Sequence, residues 1–183
     1  YGETIDLTSA YTIASTGIAE MTGAYQGISS GGSVLIADVF SSNPSFSASG
    51  AAASANVGSS TISASGGTVN SGYTVTYANT GSLTVTARPI TVSGVDKSKT
   101  YGDSNPALTY TVTDSDGDST LPNSDTLTGA LATAITASSP VGSGSITQGT
   151  LTNANNTNYD ITYSPATLTI NAKALSVSGF TPA

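Results

Sequence analysis

The segment SLTVTARPITVSG at residues 82–94 returns as TLTINAKALSVSG at residues 167–179. Leu83 falls on Leu168, Arg88 on Lys173, Ile90 on Leu175, Val92 on Val177 and Gly94 on Gly179, at a constant offset of 85 residues. Other landmarks repeat in the same order. Tyr1-Gly2-Glu3 falls on Tyr101-Gly102-Asp103, Tyr11-Thr12-Ile13 on Tyr110-Thr111-Val112, and Val57-Gly58 and Ile62 on Val141-Gly142 and Ile146. Tyr73 and Tyr77 fall on Tyr159 and Tyr163. The offset drifts from 100 residues at the start to 85 at the end, so the first unit is the longer one. The surplus is assigned to an insertion near residues 17–32, GIAEMTGAYQGISSGG. A chance echo would not keep its order from end to end, and ordered self-similarity is the mark of a tandem array.

Both units alternate with period two. YTVTY (73–77), PITVSG (89–94), LTYTVT (108–113), YDITY (159–163) and ATLTIN (166–171) place β-branched or aromatic residues at every second position. That pattern belongs to half-buried strands. VLIADVF (34–40) is a short continuous apolar run, as in a fully buried strand. Gly, Ser and Asn clusters separate the runs, and no long 3.6-residue period occurs. The expected fold is all-β: two small, elongated β-domains in an end-to-end rod, each a β-sandwich or a β-grasp-like sheet. The expected boundaries are 1–86 for the first unit, 87–172 for the second and 173–183 for the first strand of a following unit. With 37% hydrophobic residues, no Trp and three Phe, the cores should be thin. Residues 85–89, VTARP, join the units without a flexible linker, and Pro89 holds Arg88 extended, so a stiff junction is expected.

The landmarks of the second unit resemble a known family. A Lys-containing strand runs into Tyr101-Gly102-Asp103, Asn105-Pro106 follows, and NYDITYSPATLTI (158–170) closes the unit. This arrangement resembles the MBG domain of the YGX type, a mostly-β, glycine-rich module found in tandem arrays in large bacterial surface and secreted adhesins. The first unit matches less well, because YGETIDLT lacks the Asn-Pro step. The resemblance implies an extracellular, non-enzymatic spacer or adhesive segment. It carries over no ligand, because the motif marks a fold.

Composition narrows the chemistry. The chain has no His and no Cys, which removes imidazole acid–base steps, thiolate nucleophiles and the usual zinc ligands. Net charge is −7 with four basic residues, so no basic patch exists for nucleic acid or for an anionic membrane surface. No apolar run is long enough to be read as a membrane-spanning helix. A Ser–Lys or a carboxylate-pair mechanism is what remains, and Lys97, Lys99 and Lys173 are expected to face solvent at the junction strands. One acidic constellation stands out, Asp114, Asp116, Asp118 and Asp125 in TDSDGDSTLPNSD. Its spacing approximates ligand positions 1, 3, 5 and 12 of a calcium loop, without the glycine at position 6 or the glutamate at position 12. The two readings are a calcium site and a solvated hairpin tip. Thr-x-Thr pairs (Thr74/Thr76, Thr84/Thr86, Thr111/Thr113, Thr126/Thr128) are accounted for by the wet faces of strands.

The expected function is structural: a stalk segment of an adhesin or of a biofilm matrix fibre at the bacterial cell surface. Its partners would be neighbouring repeats, or copies of the same protein. Residues 174–182 of one copy could complete the first unit of another by β-strand donation. The alternative is a polysaccharide- or protein-binding module that uses the 17–32 insertion, where Tyr25 is the aromatic candidate for a glycan or cell-surface ligand.

Overall fold

The computed structural model describes residues 1–7, 40–77, 81–176 and 178–179. The 17–32 insertion, Tyr25 and all of the VLIADVF run except Phe40 lie outside the described residues. The fold is all-β. The described residues form twelve strands and three short 3₁₀ turns, with no α-helix. They divide into two compact units, Glu3–Val85 and Thr86–Ala183, and Tyr1–Gly2 belongs to the second.

The first unit holds β1 (Phe40–Ser42), β2 (Ser45–Ser47), β3 (Gly58–Ser65), β4 (Thr68–Val69) and β5 (Gly81–Val85). β3 is the centre of an antiparallel sheet with β2 on one side and β5 on the other, and β1 pairs with β4. Its core is slight: Leu7 and Phe40 are its buried large apolar side chains among the described residues.

The second unit is better filled. It holds β6 (Arg88–Gly94), β7 (Lys97–Thr100), β8 (Tyr110–Asp114), β9 (Ala132–Thr133), β10 (Gly142–Thr147), β11 (Tyr159–Ser164) and β12 (Ala166–Asn171). One sheet has the order β11-β6-β8 and the other β7-β12-β10-β9. A parallel pairing ties both sheets together. β11 runs parallel to β6, with Tyr159 opposite Arg88 and Ser164 opposite Ser93. β12 runs parallel to β7, with Leu168 opposite Lys97 and Asn171 opposite Thr100. The register differs by 71 residues in both stretches, so they form one ladder that bends where each chain changes sheet.

The bend has local causes. Pro165 stands between β11 and β12 and has no N–H to give to a ladder. Asp96, between β6 and β7, accepts the Thr167 N–H on Oδ1 at 2.7 Å. Gly94 leaves room for the crossing: a Cβ there would lie 2.8 Å from the Tyr163 hydroxyl and 2.9 Å from the Ala166 Cβ. Alternation then fills one cluster beneath each sheet. Ile90, Val92, Leu151 and Tyr159 form the first, and Ile146, Ala166 and Leu168 the second. Each sheet thus covers its own cluster, with β6 and β12 as inner strands and β7 and β11 at the sheet edges.

Each unit contains a ladder of matching register. β3 and β5 pair Gly58 with Val85 and Ile62 with Gly81. β10 and β12 pair Gly142 with Ile170 and Ile146 with Ala166. The unit-to-unit displacement is 84 residues on one strand and 85 on the other. Gly58 and Gly142 also share an unusual backbone, with φ of 150° and 147°.

The bend is testable. Gly94→Ala should cost about 1–3 kcal/mol, since Tyr163 and Ala166 would have to move. Urea unfolding would read this as a lower midpoint at unchanged slope.

Candidate functional site

Polar chemistry in the second unit gathers at the first rung of the parallel ladder, where Tyr159 lies opposite Arg88. Arg88 is the chain's only arginine. Its Nη2 donates to Asp114 Oδ2 at 2.8 Å and its Nε to the same oxygen at 3.2 Å, and it also pairs with Asp116. Asp114 ends β8, which lies antiparallel to β6, so the sheet itself brings the two charges together. The Asp114 side chain is only 2% exposed. Its other oxygen accepts the N–H groups of Asp116 at 3.0 Å and Asp118 at 2.8 Å, closing a tight turn in which Gly117 adopts φ +88°.

Beside this pair stands a tyrosine–aspartate seat. The hydroxyls of Tyr1 and Tyr159 both donate to Asp125 Oδ2, each at 2.8 Å. The rings meet edge to face, with centroids 5.5 Å apart. The Tyr1 main chain is held as well: its N–H donates to Thr86 O at 2.9 Å, and Arg88 Nη1 donates to its carbonyl at 3.4 Å. Pro122 closes over Gly2, where a Cβ would approach to 2.7 Å of the proline ring. The loop that carries Pro122 and Asp125 is strained, with Asn123 and Ser124 both at positive φ (56° and 59°).

At the other end of the ladder is a similar turn without a seat. Thr100-Tyr101-Gly102-Asp103 closes with Asp103 N–H donating to Thr100 O at 3.1 Å, and Gly102 has φ +90°. Positive φ at the third position of such a turn favours glycine. Lys99 braces the turn. It is 7% exposed, and its Nζ donates to Asp103 O at 3.1 Å and Thr136 O at 2.6 Å. This corrects the expectation that Lys99 faces solvent: its ammonium is buried and satisfied by carbonyl oxygens. It bonds to no serine hydroxyl, so it does not form a Ser–Lys nucleophile. Lys173 is exposed.

The four aspartates do not converge on one point: two share Arg88 and the others turn elsewhere. Asp114 faces Arg88 and two backbone N–H groups, Asp116 pairs with Arg88, and Asp125 serves two tyrosines. Asp118 is exposed, and its main chain completes the Asp114 turn. Among the described residues, no group of three or more acidic side chains is placed to hold a metal ion. The arginine and tyrosine partners lie 26 to 124 residues away in the chain, so local spacing carried no sign of them. The Tyr1 and Tyr101 landmarks were the signal, read as repeat markers and not as a site. In the first unit, the open groove walled by Thr4–Leu7 and Asn43–Ala48 has Asp6 as its single ionisable lining side chain among the described residues. That offers no acid–base pair.

Residues 90–169 match the family model of the MBG domain (YGX type), a span that runs from the third residue of β6 into β12. No curated protein and no solved structure matches the chain. The matched span holds the Asp114 turn, the Tyr101-Gly102 turn and the Tyr159–Asp125 pair; Arg88 and Tyr1 fall outside it.

Titration follows from this geometry. Burial pushes the Tyr159 hydroxyl up, and the hydrogen bond and charge of Asp125 push it further. Burial and Asp125 raise Tyr1 likewise. An unfolded chain ionises its tyrosines first, near pH ~10, so this contribution is complete below about pH 10 and is lost as pH rises beyond it. Burial alone would raise the Asp114 carboxyl, but the N–H of Asp118, the Arg88 guanidinium and the N–H of Asp116 outweigh it, and the net shift is downward. That contribution is present above the ordinary aspartate range near pH ~4 and is lost as pH falls below it. Tyr159→Phe should cost about 1.5–3 kcal/mol at neutral pH, and its melting temperature should fall less steeply above pH ~10. Asp114→Asn should flatten the acid limb and leave the alkaline limb unchanged. Millimolar Ca²⁺ should leave the melting temperature where it is; a rise with Ca²⁺ but not Mg²⁺ would show the aspartates leaving their present partners.

Proposed function

We propose that the chain is a non-enzymatic spacer segment of an extracellular bacterial adhesin or surface fibre, built from serial modules that resist being pulled apart. The observation that carries this reading is the parallel ladder of the second unit. Its first strands, β6 and β7, and its last, β11 and β12, are neighbours running the same way. The chain therefore enters at the Arg88 end and leaves at the Asn171 end, at most about 40 Å away at ~3.3 Å per residue. Pulling on the two ends slides the strands along each other. The ladder hydrogen bonds then share the load and must fail together, whereas a hairpin pulled from its open end yields one bond at a time.

Three further observations support the reading. The ladder of β3 with β5 has the register of β10 with β12, as tandem copies would. Residues 90–169 resemble a module known from bacterial surface adhesins. The polar cluster contains no nucleophile–base pair and serves to tie strands and turns together.

Strand donation between copies is a second reading with its own support. Residues 173–179 repeat the pattern of β6, and Leu175, at the position of buried Ile90, is 88% exposed. Residues 73–77 repeat the pattern of β11 yet form no strand. Donation predicts concentration-dependent oligomers in light scattering that disappear when residues 174–183 are deleted.

Single-molecule pulling tests the spacer reading. Force applied through residues 88 and 171 should give one sharp unfolding peak for the second unit. Tyr159 and Ile161 donate their N–H groups to Asn156 O and Asn153 Oδ1, away from β6. Thr162, the intervening residue, therefore faces the ladder. Thr162→Pro should lower the peak force clearly. A module that extends without a peak would sink the proposal.

A further inference from the structure

We infer that the Tyr101-Gly102 turn is a docking element for a further copy of the same module, whose counterparts of Pro122, Asp125 and Tyr159 would seat it as those residues seat Tyr1-Gly2. The inference rests on the serial-module reading and names the contact by which one module would grip the next.

Tyr1-Gly2 and Tyr101-Gly102 are the same device by three independent measures. Both are Tyr-Gly steps at an offset of 100 residues, followed by an acidic residue. Their glycines have nearly equal positive φ, +89° and +90°. Their tyrosine nitrogens donate to equivalent carbonyls: Tyr1 to Thr86 and Tyr101 to Asn171, each at 2.9 Å. Thr86 and Asn171 are themselves separated by the 85-residue offset, and each lies just beyond or at the end of the closing strand, β5 or β12.

The two devices differ in what covers them. Gly2 is crowded by Pro122, and the Tyr1 ring packs on Tyr159 with its hydroxyl on Asp125. Among the described residues nothing lies within 4 Å of a Cβ placed on Gly102, and Tyr101 is 45% exposed. Leu175, four residues beyond the Asn171 carbonyl that holds Tyr101, is 88% exposed, at the position where Ile90, four residues beyond Thr86, is 3% exposed in the core of the second unit. The uncovered pieces, Tyr101 and Leu175, correspond to residues that the 86–172 module covers or buries in Tyr1 and Ile90. Their proper occupant is therefore another copy of that module, with residues 173–179 as its opening strand. Lys173 would stand where Arg88 stands, a single-point cation in place of the forked guanidinium.

The test uses the 183-residue chain and an extended chain in which residues 88–172 are repeated after Ala172. Tyrosine nitration is followed by peptide mass analysis. In the extended chain Tyr101 should be protected several-fold relative to the 183-residue chain, while Tyr1 is protected in both. Asp125→Asn with Tyr159→Phe, placed in the added copy alone, should restore Tyr101 reactivity. Tyr101→Ala should lower the melting temperature of the extended chain and leave that of the 183-residue chain unchanged. Equal nitration of Tyr101 in both chains, or equal melting shifts from Tyr101→Ala, overturns the inference. A strong pulling peak with unprotected Tyr101 would remove the docking contact and leave the spacer function standing.

Discussion

The parallel ladder between β6–β7 and β11–β12 is the constraint on which the second unit depends. Each of its two sides changes sheet partway along, so one set of pairings belongs to both sheets. Breaking it would separate the two core clusters, since Ile90 and Val92 lie on one arm and Ala166 and Leu168 on the other. Parallel pairing between strands more than sixty residues apart is costly to form, because loop closure precedes any reward. The chain meets that cost with alternating Val, Ile and Leu on the ladder's inner face, and with Gly94 and Pro165 at the bend.

The polar cluster is a consequence of the ladder's first rung. Arg88 begins β6 and Tyr159 begins β11, so the pairing places them side by side. β8 then brings Asp114 to Arg88 from the other side of the sheet. Charges are scarce in this chain, and those at the rung are matched: a guanidinium on two carboxylates, and a third carboxylate on two hydroxyls. A buried carboxylate left without partners would be costly, and here each has them. The same economy appears at Lys99, whose buried ammonium donates to two carbonyl oxygens.

Much of the fold was legible because period-two alternation records burial directly. The pattern of β12 alternates buried Ala166, Leu168 and Ile170 with exposed Thr167, Thr169 and Asn171, as its spelling implies. The direction of pairing was not legible, since an alternating strand looks the same beside a parallel or an antiparallel neighbour. Nor were the partners of Asp114 and Asp125. Four aspartates at calcium-like spacing describe what a loop could gather, while the sheet decides which distant cation or hydroxyl arrives first. Lys99 misled for a related reason: a long side chain can be buried when its head reaches carbonyls, and composition records only its charge.

Residues 73–77 and 159–163 carry the argument a step further. YTVTY and YDITY have the same alternation and the same flanking tyrosines, yet the second is a strand and the first is not. The difference lies in the neighbour. β11 has β6 beside it in continuous register, whereas among the described residues no strand pairs with 73–77. Extended backbone becomes a strand only when its N–H and C=O groups find partners, so strand character here belongs to the pair and not to the segment. Tyr1 and Tyr101 show the same dependence on a neighbour: the Tyr1 hydroxyl and ring are held by Asp125 and Tyr159, whereas Tyr101 stands 45% exposed.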